Sequence, residues 1–180
     1  HMPWDWHKDL FNYAEKIGIT IFSSPFDRTA VDLLEDLNAP AYKIASFEAI
    51  DLPLIEYVAQ TGKPVIISTG MADADEIEEA IVAAKDAGCK ELAILHCVSG
   101  YPAPPEDYNL NTILELRRKF GLVTGLSDHT LDNNTAIASV ALGASIIEKH
   151  FTLNRSGGGP DDSFSLEPKE MNNLCYGANV

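Results

Sequence analysis

The chain has 180 residues, 46% of them apolar and 22% charged, a balance that supports a buried core and excludes a disordered, collagenous or low-complexity protein. Its 13 Lys and Arg against 27 Asp and Glu leave a formal charge of −14, which repels nucleic acid and acidic membrane surfaces, so an anionic ligand needs local cationic or N–H groups. Cys89, Cys97 and Cys175 form no C-x-x-C pair and no disulfide framework, pointing to a reducing, cytoplasmic setting, and no apolar run approaches the roughly 18 to 20 residues of a membrane span.

In chain order, Trp6–Ile17 predicts a helix that feeds a strand at Ile19–Phe22. There follow a helix over Asp27–Leu37, a strand at Ala41–Ala45, a helix over Leu52–Thr61 and a strand at Pro64–Ile67. A helix over Asp73–Ala87, a strand at Leu92–Leu95, a helix over Tyr108–Phe120 and a strand at Leu122–Thr124 continue the pattern. The last units are a helix over Asp132–Leu142, a strand at Ala144–Glu148 and a helix over Pro168–Gly177. The strands are short β-branched runs, whereas the helices carry apolar residues at three-and-four spacing. Asp27, Asp73 and Asp132 stand where open N–H groups need acceptors, and Gly62, Gly88, Gly121 and Gly143 where helices should stop. Six strand starts 22 to 30 residues apart suit parallel βα units in a single domain. Six are too few for a closed (β/α)₈ barrel. A nucleotide-binding sheet would want a glycine-rich first turn, but Ser23-Ser24-Pro25-Phe26 stands there and no G-x-G-x-x-G is present.

In parallel barrels the chemistry gathers at the C-terminal ends of strands, and nearly every predicted strand here ends in polar groups. These are Ser23 and Ser24; Lys43 and Ser46; Ser68, Thr69 and Gly70; His96, Ser99 and Tyr101; Ser127, Asp128 and His129; and Glu148, Lys149 and His150. Serines after strands commonly cap the next helix, and a strand histidine such as His96 is more often a hydrogen-bonded core residue than a ligand. Lys43 differs, because an ammonium inside Ala-Tyr-Lys-Ile-Ala is costly unless it meets an anion or a carboxylate. His129 and His150 end consecutive strands, where parallel pairing would set them within reach of one divalent metal. Alternation puts Glu148 and His150 on one face of their strand and Lys149 on the other. The Gly157–Asp162 loop brings carboxylates towards the same rim, or is simply a surface turn. Serines, Lys43 and N–H groups at helix starts together suit a small phosphorylated or carboxylated ligand.

In order, Phe22-Ser23-Ser24-Pro25-Phe26, Pro40 to Ser46, Lys63-Pro64 with Ile67 to Met71, Leu95-His96-Cys97 with Tyr101-Pro102, Gly125 to Thr130 and Glu148 to Thr152 resemble the sialic acid synthases. The resemblance runs from about Gly18 to the C-terminus. It implies an α/β fold of the (β/α)₈ TIM-barrel type, here truncated to about six parallel strands and their helices, with residues 1–180 as one partial catalytic domain. It also implies that the family's first two βα units and its C-terminal antifreeze-like domain lie outside this chain, that the full-length protein is a homodimer, and that the isolated piece has little turnover. The implied reaction condenses phosphoenolpyruvate with an N-acylated hexosamine to a nonulosonic acid and phosphate. By matched position, Lys43, Ser24, Ser46, Ser68 and Ser127 would hold phosphoenolpyruvate. Ser99 would share that cradle, although the family commonly has asparagine there. His129 and His150 would bind manganese, or magnesium or cobalt in its place, and Tyr101 and Asp161 would face the sugar. The implied catalytic set is Lys43, His129 and His150. The run Gly158–Pro168 resembles the pseudaminic acid branch more than the N-acetylneuraminate branch.

Two other readings follow from the residues. An incomplete barrel leaves open sheet edges, so the chain could be an inactive piece that self-associates through them. The same histidines could also serve a metal-dependent aldolase or hydrolase that needs no phosphoenolpyruvate.

Overall fold

A computed structural model describes residues 2–179. It contains the helices α1 (Trp6–Ile17), α2 (Arg28–Asp36), α3 (Leu52–Ala59), α4 (Ala74–Asp86), α5 (Asn111–Phe120), α6 (Asn134–Ala141) and α7 (Pro168–Ala178). The strands are β1 (Tyr42–Ile44), β2 (Val65–Ser68), β3 (Leu92–Cys97), β4 (Val123–Asp128) and β5 (Ile147–Lys149). Strand order in the sheet follows sequence order. The pairs β1–β2, β3–β4 and β4–β5 are parallel, as right-handed βα repeats of the (β/α)₈-barrel class require. No helix among the described residues is long and apolar enough to cross a membrane.

The chain divides into two compact units, one holding the residues up to Ile67 with Ala74–Leu92, the other Ser68–Asp73 with the residues from Ala93 on. In the first, α3 packs against α2 and α4, and Val31, Leu34, Ile44, Ile55 and Val58 are almost fully buried. Helix α2 opens on Asp27, whose Oδ1 accepts from Ala30 N at 2.9 Å, and α3 opens on Asp51 in the same way, at 3.1 Å from Leu54 N. In the second unit, Tyr108, Ile113, Leu126, Ala103 and Ala144 form one core cluster. A smaller one joins Ala136, Leu166 and Leu174.

Among the described residues five strands form, not six. The segment Ile19–Phe22 makes no ladder, and its neighbour Ser23 makes only an isolated bridge to Tyr42, with Lys43 N donating to Ser23 O at 3.2 Å. Apolar composition alone does not make a strand: Ile19 is 61% exposed, so this run lacks the two-sided burial that favours β structure in parallel sheets. Strand β4 instead runs four residues past its predicted end, because its register with β3 continues to Cys97 opposite Ser127. Helix α5 starts at Asn111, three residues later than predicted. A 3₁₀ turn over Pro105–Tyr108 buries the Tyr108 ring, and Asn109 then takes a left-handed conformation (φ +38°) that interrupts helical geometry.

Candidate active site

In the second unit, β3, β4 and β5 deliver His96, Cys97, Ser127, Asp128 and Lys149 at or near their C-terminal ends, and His129 and His150 stand one residue beyond theirs. The His129 and His150 rings lie 5.3 Å apart, and Tyr101 stacks on His129 at 4.2 Å. Phe164 closes the cluster, 5.0 Å from His150.

His129 is held on several sides. Its backbone N donates to the Tyr108 hydroxyl at 2.7 Å, its carbonyl accepts from Ala103 N at 3.1 Å, and its Nδ1 lies 2.8 Å from Val98 O. Only a protonated Nδ1 can bond a carbonyl, so the lone pair of the neutral ring lies on Nε2. Burial works to lower the His129 pKa, but hydrogen bonds to Cys97 and Val98 and the nearby Glu148 carboxylate outweigh it, and the net direction is upward. His150 moves the other way. Burial and then the His129 charge push it down, against the pull of Asp161 and Glu148, and its Nδ1 is 3.5 Å from Asp161 Oδ2.

The donor set suits a borderline divalent ion, because two imidazoles converge and one has its ligating nitrogen fixed by a hydrogen bond from the other side of the ring. Among the described residues no group of three or more His, Cys, Asp or Glu side chains is arranged to hold a metal.

The same unit leaves buried polar atoms without hydrogen-bond partners among the described residues. Ser68 Oγ and Ser99 Oγ are buried and make no hydrogen bond among the described residues, an arrangement that is costly unless a ligand or water supplies the partner. Gly70 packs tightly against this region and leaves no room for a side chain. A Cβ there would stand 2.7 Å from Ser99 Oγ and 2.9 Å from Cys97 Sγ, and Cys97 is itself hydrogen-bonded to His129. Ser127, in contrast, spends its hydroxyl on Glu148 Oε1 at 2.7 Å. His96 is a core residue, its Nε2 2.5 Å from Tyr108 O and its pKa lowered by burial.

In the first unit Lys43 is 6% exposed in β1 and its Nζ reaches Ile44 O at 3.4 Å. A nearby carboxylate is that of Glu48, in the 3₁₀ turn Ser46–Ile50, which feels the Lys43 charge. Burial, the largest influence, and the Asp51 charge raise the Glu48 pKa against the pull of its own backbone N–H and of Lys43, and Glu48 Oε2 is buried without a hydrogen-bond partner among the described residues. Ser46 is buried and Ser24 half-buried. Sequence reasoning passed over Glu48 and Tyr108, both in 3₁₀ turns too short to show a period; the one usable signal was the demand of Lys43 for a carboxylate close by.

Comparison with known proteins places this geometry. The NeuB family profile matches residues 1–179. The chain belongs to the NeuB family. It is 48% identical over 92% of its length to a pseudaminic acid synthase of Helicobacter pylori, covering 48% of that protein. It is 44% identical over 94% of its length to an N,N'-diacetyllegionaminic acid synthase of Campylobacter jejuni, covering 51% of that protein. The crystal structure of an N-acetylneuraminic acid synthetase from Leptospira borgpetersenii, in complex with citrate, superposes with a TM-score of 0.95 at 36% identity, over 99% of this chain and 62% of that one. This NeuB chain therefore spans about half the length of the curated relatives it matches, with the α/β fold of the (β/α)₈-barrel class that its resemblance to the sialic acid synthases implies.

Proposed function

We propose that this NeuB chain carries part of the active site of a synthase that joins phosphoenolpyruvate to an N-acylated hexosamine, giving a nonulosonic acid of the pseudaminic type and inorganic phosphate. The observation that carries the reading is that the hydroxyls of Ser68 and Ser99 are buried and unpartnered among the described residues, Ser99 lying against Gly70 and close to Cys97, which bonds His129. Relatives named as pseudaminic and legionaminic acid synthases support it.

In this reaction C3 of phosphoenolpyruvate forms a bond to the aldehyde carbon of the open-chain sugar, and the aldehyde oxygen gains a proton. A water oxygen then joins C2, and phosphate leaves with the electrons of the C2–O bond as the C2 ketone forms. Ser68 and Ser99 would donate to anionic oxygens of phosphoenolpyruvate, while Lys43, Ser24 and Ser46 are assigned to its charged groups by their matched positions. Glu48 is a half-buried carboxyl whose pKa burial raises above the ordinary value, which makes it a candidate proton donor. Tyr101 and Asp161, both exposed and both in contact with the histidine pair, would face the sugar. Ser127 acts through Glu148 rather than as a free donor. His129 and His150 would hold the divalent ion, manganese, magnesium or cobalt, which when bound supplies Lewis-acid polarisation of a carbonyl.

Calorimetry with phosphoenolpyruvate tests the assignment on the chain itself. Wild type should bind, and Lys43→Ala and the Ser68→Ala, Ser99→Ala pair should each weaken binding at least about tenfold, the scale of one or more lost charge-assisted hydrogen bonds. Unchanged affinity in both variants would sink the reading. Turnover of a sugar substrate without phosphoenolpyruvate would favour the aldolase or hydrolase alternative.

A further inference from the structure

The ladder between β4 and β5 ends at Asp128 opposite Lys149, one residue before the two histidines. From there the backbones part. His129 sends its N–H to Tyr108 and receives Ala103 N at its carbonyl, while His150 O accepts from Leu166 N at 2.9 Å. A side chain bridges this gap. Lys149 Nζ pairs with Asp128 Oδ2 at 3.0 Å and donates to Thr130 O at 2.7 Å and Asp132 O at 3.0 Å, with Thr130 Oγ1 at 3.4 Å. Asp128 Oδ1 meanwhile accepts from Thr130 N at 2.8 Å. The Lys149 side chain is 3% exposed and that of Asp128 is fully buried. One cation, from the residue before His150, thus stitches together the turn that contains His129.

A buried ion pair adds little stability compared with apolar packing of the same volume, whereas its directional bonds can select one geometry. An ammonium with three donors facing several convergent acceptors is such a directional clamp. We propose that Lys149, acting through Asp128 and the Thr130 and Asp132 carbonyls, is a positioning residue that sets the separation of the His129 and His150 rings. Its bearing on catalysis rests on the histidine-pair reading above, but the geometric claim can be tested without metal or substrate.

The test uses the metal-free chain labelled with ¹³C and ¹⁵N at histidine. Wild type should show a nuclear Overhauser cross-peak between the His129 and His150 rings. The Asp128→Asn, Lys149→Met double variant removes both charges together, so no buried charge is left unpaired. It should lose at least two thirds of that cross-peak while still melting cooperatively, and full retention of the peak in the folded variant would overturn the proposal. If the double variant does not fold, Asp128→Asn alone, isosteric and leaving Lys149 its carbonyl acceptors, is judged by the same peak, with a measurable loss expected and none overturning it. Calorimetry with Mn²⁺ separates this claim from the proposed function. Equal affinity of wild type and the His129→Ala, His150→Ala variant removes the metal reading and leaves the ring cross-peak to decide on Lys149. Where wild type binds more tightly, the Asp128→Asn, Lys149→Met variant should bind at least tenfold more weakly than wild type, and equal binding would count against the clamp.

Discussion

The Tyr108 hydroxyl accepts the backbone N–H of His129 at 2.7 Å, so a residue twenty-one positions earlier, in a 3₁₀ turn, completes the hydrogen bonding of the turn that presents a candidate ligand. Tyr108 is fully buried, and burial pushes its phenol well above the ordinary value, so it stays neutral and able to accept. Tyr108→Phe removes the acceptor and leaves the His129 N–H unsatisfied, which should cost about 1–3 kcal/mol. Urea unfolding measures the loss, and faster hydrogen exchange at the His129 amide locates it. A variant as stable as wild type would show that water replaces the phenol.

Gly125 is the glycine at which an added side chain would meet its neighbours at the shortest distance. A Cβ there would sit 2.3 Å from Ile146 O and 2.7 Å from Leu95 Cδ2. The first of these contacts is with backbone and cannot be relieved by a rotamer change. Gly125→Ala should therefore lower stability by about 1–3 kcal/mol, the usual range for overpacking, or more. A fall in melting temperature checks this, and a neutral result would mean that β4 and β5 can separate without loss.

How far the sequence foretold this arrangement depends on the range of the interactions. Helices such as α1 and α2 were legible because three-and-four spacing and caps such as Asp27 are local. Lys43 was legible because an ammonium in an apolar strand has to be compensated wherever the strand lies. The positions of Glu148 and Lys149 on opposite faces followed from strand alternation, and the structure sends Glu148 to Ser127 and Lys149 to Asp128. Ile19–Phe22 misled, because its composition is that of a strand but the run is largely exposed and pairs only through the Ser23–Tyr42 bridge beside it. Tyr108 and Glu48 were invisible for a related reason: both matter through groups they meet in space. The spare hydroxyls of Ser68 and Ser99 could be listed from the sequence but not known to be unpartnered.

Glu48 should also leave a pH signature. Burial, its largest influence, raises its pKa above the ordinary 4.5, so the folded state binds its proton more tightly than the unfolded one. The stabilising contribution of this group is then fully present below pH 4.5 and is lost as pH rises through the folded-state value. Glu48→Gln abolishes the titration. The stability of wild type relative to Glu48→Gln should fall as pH increases from 4.5 towards neutrality, when both are unfolded in urea at a series of pH values. A difference that does not change with pH would mean that Lys43 offsets the burial in full.

Arg155 ties the loop that carries Asp161 to the start of α7. Its guanidinium bonds Glu170 and donates from Nε to Ser165 O at 3.0 Å, while its backbone N donates to Glu167 Oε1 at 3.0 Å. Glu170 in turn accepts from Glu167 N at 2.9 Å, closing a capping box. The Arg155 and Glu170 side chains are each about one-third exposed, so the pair itself should contribute only about 0.2–1 kcal/mol. Its effect should instead be local. Arg155→Ala frees the turn at Gly157–Gly159, where Gly158 has a φ of +83° and Asp162 accepts from Gly159 N at 2.7 Å. We therefore expect a small change in melting temperature together with faster proteolytic cleavage within residues 155–162, measured by limited proteolysis and mass spectrometry. The opposite pattern, a large loss of stability with an unchanged cleavage map, would show that Arg155 supports the fold of α7 and not the loop.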